Sequence, residues 1–175
     1  MTTPRVFIIR HGETEWSLNG RHTGTSDIPL TANGEKRIRA TGRALVGADR
    51  LIVPKNLAHI YVSPRKRAQR TLELLGLGCK DDFPWEKHGD IAEVNKGEKV
   101  ESVEGDKAVK GVGGIEVGYG EGTSAKIEVT EAAREWDYGQ YEGITSKEIA
   151  AQREKDGLPP WDIWKDGCPG GEYVC

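Results

Sequence analysis

Val6-Phe7-Ile8-Ile9-Arg10-His11-Gly12 is the stretch from which the fold can be read. Four apolar residues in a row, three of them β-branched, predict a short strand buried on both faces inside a parallel sheet. The run stops at Arg10-His11-Gly12, which would present an imidazole beyond the carboxyl end of the strand, where open α/β sheets bind their ligands. Gly12 leaves room for backbone and ligand to approach closely.

Moving outward, the polar, glycine-bearing residues from Glu13 to Leu30 read as a long loop. Thr31 can then cap a helix over roughly Ala32 to Val46, with Ile38, Leu45 and Val46 partly lining one side. His59-Ile60-Tyr61-Val62 reads as a second strand. Ser63-Pro64 follows at once, an N-cap with proline at the first helical position, predicting a helix through Leu75. Strand, helix, strand and helix in alternation predict an α/β sandwich with a mostly parallel sheet.

Between Asn95 and Glu128 the composition shifts to Gly, Lys, Glu and Val without a sustained period, which reads as a mobile insertion. Order returns at Ala132-Ala133-Arg134-Glu135-Trp136. Thr145-Ser146-Lys147-Glu148 has the form of a capping box and opens a helix to about Lys155, stopped by Gly157 and Pro159-Pro160.

Bulk properties narrow the classes. The 175 residues suit one domain, and 36% hydrophobic with 30% charged residues is a soluble, globular composition. No apolar run reaches membrane-spanning length, and the segment before Val6 lacks the features of a signal peptide, so a cytoplasmic location is the expectation. Cys79, Cys168 and Cys175 are widely spaced, which argues against a disulfide framework and against zinc. The net charge is −3, and the only dense cationic stretch, Arg65-Lys66-Arg67 with Arg70, is too short for a nucleic-acid footprint. His22, His59 and His88 show no metal-ligand spacing.

RHGETEW at Arg10–Trp16 resembles the hallmark of the histidine phosphatase superfamily, the phosphoglycerate-mutase-like family. The likeness continues through Thr23-Gly24, Asp27, Leu30-Thr31 and Gly34, then SPRKRAQRT at Ser63–Thr71 and REWDYGQYEG at Arg134–Gly143. The resemblance implies a three-layer sandwich over residues 1–175, with the Gly-rich segment at about 95–128 as an insertion. It also implies a nucleophile, His11, phosphate-binding Arg10 and Arg67, and a proton donor, Glu135, with Ser17, Thr23, Gly24 and Tyr138 touching substrate. Guanidiniums suit the task because each presents a planar fork of donors to phosphate oxygens at any relevant pH. A carboxyl group close to phosphate charge favours its protonated form and can protonate a departing oxygen.

The implied reaction is in-line attack by His11 on phosphorus, then transfer of the phosphoryl group to water or another hydroxyl, by a route that calls for no metal or cofactor. PWDIWKDGC at Pro160–Cys168 is similar to the sedoheptulose-1,7-bisphosphatase branch and implies a sugar bisphosphate, a phosphorylated small molecule, as substrate. Ser17 stands where phosphoglycerate mutases carry asparagine, so a mutase or a broad-specificity phosphomonoesterase is the second reading. A third is a non-catalytic chain that binds phosphorylated ligands, because the family's second His-Gly motif, with its helix and central strand, would follow Gly170-Gly171-Glu172 and no remaining histidine matches it.

Overall fold

A computed structural model describes residues 3–88 and 122–172. Local capping chemistry sets where its helices begin. Thr14 and Ser17 close a reciprocal capping box around α1, Glu15–Asn19. Thr31 starts α2, Ala32–Leu45, by accepting the Gly34 amide at 2.9 Å. Thr145 and Glu148 cap α4, Ser146–Lys155, in the reciprocal arrangement that their spacing predicts. Between these lie α3, Lys66–Leu74, and the strands β1, His59–Val62, and β2, Lys126–Val129; a single turn, α5, spans Ile163–Asp166.

β1 and β2 pair in parallel, in register from His59↔Lys126 to Val62↔Val129. A parallel pair requires a crossover connection, and α3 packs on β1 and on α2 within it. The chain is thus a mixed α/β protein with a parallel sheet. β2 lies inside the segment read from sequence as an insertion ending at Glu128, so that boundary is corrected: Lys126–Val129 is sheet. Residues 95–121 fall outside the described residues. The short alternation Ile127, Val129 among charged neighbours is a weak strand signal by itself, and pairing with β1 decides it.

Two expectations need further correction. Helix α3 begins at Lys66, not at Ser63-Pro64, and Arg65 in the cap position makes no side-chain cap. The cap comes instead from a distant loop, where Asp27 Oδ1 accepts the Lys66 amide at 2.7 Å. Second, Val6–Ile9 lies in neither helix nor strand and pairs with no strand among the described residues. Val6 is 83% exposed and Ile8 94%, while Phe7 packs against the main core. The run needs a strand on at least one edge to be buried as sheet; β1 and β2, the only two described, pair with each other.

The main core gathers Ile38 of α2, Val62 of β1 and Leu72 of α3, with Leu30, Val46 and Leu75 from the ends of the two helices and the loop before α2. Each such side chain, fully buried, contributes about 1.5–3 kcal/mol. Its edge is sealed by a buried ionic network: Arg70 donates to Glu35 at 2.7 and 3.1 Å and to Glu73 at 2.9 Å, tying α3 to α2. A second cluster forms around Ile149 and Cys168, both with no exposed surface, flanked by Trp136, Tyr138 and Trp161. The loop from Arg21 to Ser26 bridges the two clusters. No helix among the described residues is long and apolar enough to cross a membrane.

Candidate active site

His11 sits just beyond the apolar Val6–Ile9 run, and its Nδ1 lies 2.7 Å from the Gly12 carbonyl oxygen. A carbonyl only accepts, so Nδ1 carries the proton and the lone pair of the neutral ring is on Nε2. Burial holds the His11 pKa below its ordinary value, and the positive charges of Arg67 and Arg10 push the same way; the Gly12 hydrogen bond and the charge of Glu135 oppose them. The net result is an imidazole kept neutral with one nitrogen available.

Gly12 is fixed in turn. Its amide donates to Thr71 Oγ1 at 3.0 Å, and that hydroxyl donates to the Arg67 carbonyl at 2.8 Å. A Cβ on Gly12 would meet Ile38 Cγ1 at 2.9 Å, so a side chain there has no space. Thr71 therefore hangs the His11 turn from the helix that carries Arg67. Replacing Thr71 with Val should cost about 1–3 kcal/mol, the usual penalty for stranding a buried polar partner, and a lower urea midpoint would register it.

Arg67 projects from the first turn of α3 and is 1% exposed. Its guanidinium donates to the carbonyls of Ser26 at 2.8 Å, Thr23 at 3.0 Å and Gly24 at 3.1 Å. Desolvation lowers its pKa, while the charges of Glu135, Asp27 and Glu142 favour the cation. On the other side of the same loop, the Glu142 carboxylate accepts the Gly24 amide at 3.0 and 2.9 Å and the Ser26 amide at 2.9 Å. A Cβ on Gly24 would come within 2.1 Å of the Trp136 carbonyl, which explains why only glycine fits.

Glu135 leads the segment that packs on this loop. It is exposed, and its Oε1 accepts the Trp136 amide at 3.0 Å. Its charge acts on His11, Arg67 and Tyr138 alike, and Arg10 acts on both His11 and Tyr138. Arg10, His11, Arg67, Glu135 and Tyr138 thus share one electrostatic neighbourhood. Tyr138 is half-buried, its pKa raised first by desolvation and then by Glu135.

Three other sequence candidates serve local structure. Ser17 Oγ accepts the Thr14 amide at 2.9 Å and donates to the Thr14 carbonyl at 2.8 Å, closing the α1 cap. Thr23 Oγ1 donates to the Arg21 carbonyl at 3.3 Å, and the Gly24 amide is held by Glu142. Thr71 and Glu142 were not singled out from sequence, although both lie inside the quoted motifs; their roles depend on contacts 59 and 118 residues apart in the chain.

A cavity of about 840 Å³ opens beside Glu135 and Tyr138. Its walls are aromatic, from Trp136, Trp161 and Trp164, with His22 as a polar member. His22 was assigned no role from sequence. It is held by two backbone bonds, its amide to Ile144 O at 3.0 Å and its carbonyl from Gly143 N at 2.9 Å. Its ring lies 4.6 Å from that of Tyr138, tilted by 32°, and its Nε2 is 3.1 Å from Ser146 Oγ.

Comparison with known proteins identifies the family. The model of the histidine phosphatase superfamily (branch 1) matches residues 6–108. The chain is 32% identical over 173 residues to sedoheptulose 1,7-bisphosphatase of Saccharomyces cerevisiae, covering 97% of this chain and 50% of that protein. It is 32% identical over 170 residues to an acid phosphatase of Mycobacterium tuberculosis, covering 97% and 56%. Among solved structures, that of the Rv3214 product of Mycobacterium tuberculosis superposes with a TM-score of 0.53 at 28% identity, over 94% of this chain and 55% of the other. The chain therefore spans about half the length of these relatives. On the strength of the family match, the chain belongs to the histidine phosphatase superfamily, branch 1.

Proposed function

We propose that the chain is a histidine phosphatase: a phosphoric monoester hydrolase that works through a phosphohistidine on His11. One observation carries this reading. The Nδ1–Gly12 hydrogen bond leaves Nε2 as the free, unprotonated nitrogen, next to the charges of Arg10 and Arg67 and of Glu135. The Nε2 lone pair attacks phosphorus as the P–O ester bond breaks, and the Glu135 carboxyl passes its proton to the departing oxygen. The resulting carboxylate then takes a proton from water, whose oxygen attacks the phosphohistidine and frees Nε2. Arg10 and Arg67 stabilise the negative charge on the transferring group.

The substrate proposed is a phosphorylated sugar of the sedoheptulose 1,7-bisphosphate kind, supported by PWDIWKDGC at Pro160–Cys168 and by the similarity to the yeast bisphosphatase. Residues 1–175 act as one histidine phosphatase domain in this reading. Incubation with sedoheptulose bisphosphate labelled in its phosphates should give an acid-labile, alkali-stable phosphoprotein, and a chain that takes up no label would refute the proposal.

Glu135→Gln separates the acid from the nucleophile. Cleavage of a sugar phosphate should slow by roughly 10²–10⁴-fold, the usual contribution of a positioned general acid. p-Nitrophenyl phosphate, whose leaving group needs no proton, should be cleaved at nearly the unmodified rate. Equal slowing of the two substrates would remove Glu135 from the acid role.

A further inference from the structure

We propose that Thr71 is a positioning residue for the nucleophile: acting through Gly12, its hydroxyl fixes which ring nitrogen of His11 carries the proton and where the other nitrogen points. The proposal deepens the phosphohistidine reading and rests on it, since it concerns how His11 is kept ready to attack. The His11 ring makes one hydrogen bond among the described residues, from Nδ1 to the Gly12 carbonyl at 2.7 Å. That acceptor belongs to a glycine, the residue whose backbone turns most freely. A glycine left loose lets its carbonyl swing away and the ring proton pass to Nε2, which puts the lone pair on the nitrogen beside the backbone.

What holds the glycine is its own amide, which donates to Thr71 Oγ1 at 3.0 Å across 59 residues of chain. Ile38 Cγ1 and Leu30 Cδ2 lie 2.9 and 3.3 Å from where a Gly12 Cβ would stand, and neither carbon offers an acceptor in its place. The direction of the hydroxyl is settled as well. It donates to the Arg67 carbonyl at 2.8 Å, one helical turn back, so only its lone pairs face Gly12. Thr71 is 4% exposed, which keeps bulk water from standing in as the acceptor.

The tether matters most as the reaction proceeds. Attack through Nε2 makes the ring a cation, and the bond from Nδ1–H to the Gly12 carbonyl becomes charge-assisted. A carbonyl already held in place meets that charge without reorganising. Arg67, four residues before Thr71 on α3, is held independently by the carbonyls of Thr23, Gly24 and Ser26. Loss of the hydroxyl therefore disturbs the nucleophile and leaves the phosphate-binding guanidinium where it is.

A graded series at residue 71 tests this. Thr71→Ser keeps the hydroxyl, Thr71→Cys offers a weak sulfur acceptor, and Thr71→Val has the shape with no acceptor. Each is measured for first-turnover labelling of His11 by p-nitrophenyl phosphate, for affinity toward inorganic phosphate, and for the nitrogen NMR shifts of the His11 ring. The shifts are recorded in alkaline buffer, where the ring is neutral, and assigned by their absence in His11→Ala. Labelling should slow roughly 10- to 100-fold in Thr71→Val while phosphate affinity stays within about threefold. Thr71→Cys should fall between, and Thr71→Ser should restore most of the rate. The ring should carry its proton on Nδ1 in the unmodified chain and become a mixture of both tautomers in Thr71→Val. Labelling as fast in Thr71→Val as in the parent, an unchanged Nδ1–H tautomer, or a parallel fall in phosphate affinity would overturn the proposal. Should Thr71→Val not fold, Thr71→Cys against Thr71→Ser makes the same comparison. An unmodified chain that takes up no label sinks the phosphohistidine reading, whereas the ring shifts need no turnover and still decide on Thr71.

Discussion

His11→Ala should abolish phosphoenzyme formation outright, because His11 is the proposed acceptor of the phosphoryl group. Its Nε2 is the unprotonated ring nitrogen, in the neighbourhood of Arg10, Arg67 and Glu135. Rapid quench with labelled substrate should show no acid-labile phosphate in the variant, and a residual burst would mean the nucleophile lies elsewhere. The fold should survive, since the ring makes one hydrogen bond, and that to its own neighbour. The pH profile carries a second signature. Burial and two guanidiniums depress the His11 pKa below the ordinary 6.5, so the neutral, reactive ring persists on the acid side of that value. The labelling rate should therefore stay flat as pH falls through 6.5 and decline only below it. A decline centred above 6.5 would contradict the arrangement.

Arg67→Met should be the most damaging single change to the folded state. The side chain is buried to 1% exposure and satisfies three carbonyls of one loop. Its loss strands those acceptors and leaves the Glu142 carboxylate without its nearby counter-charge. Removing one partner of a buried charged network costs on the order of 3–5 kcal/mol, a large share of the stability of a small domain. Phosphate affinity should fall as well. Arg67→Lys keeps the charge but loses the planar fork, so it should recover part of the urea midpoint and little of the anion binding. A variant as stable as the parent chain would show that the loop holds itself together.

Much of this was legible in the residues. The helices α2 and α4 follow from Thr31 and from the Thr145/Glu148 box, since a cap depends on neighbours three residues away and is written locally. β1 was equally plain from its apolar run. What depends on partners elsewhere in the chain was not: the cap of α3 is supplied by Asp27, and β2 exists through its register with β1. Val6–Ile9 has the composition of a buried strand, but composition records only what a segment would bury, and Ile8 stands 94% exposed. In the candidate site, the ordered motifs point to His11, Arg67 and Glu135, which share one electrostatic neighbourhood in the structure. The second tier, Thr71, Glu142 and His22, escaped because each acts on a backbone group or ring far away in sequence.

The loop between Thr23 and Ser26 has one further property. Gly24 and Ser26 both give their N–H groups to Glu142 and their C=O groups to Arg67. The peptide unit that joins Thr23 to Gly24, whose C=O accepts from Arg67 and whose N–H donates to Glu142, is thereby lined up in the field between a fixed anion and a fixed cation, like a compass needle between opposite poles. Neither pole can be neutralised without misaligning that needle, so the effects of altering residues 67 and 142 should be strongly non-additive, with the double change costing far less than the sum of the single ones.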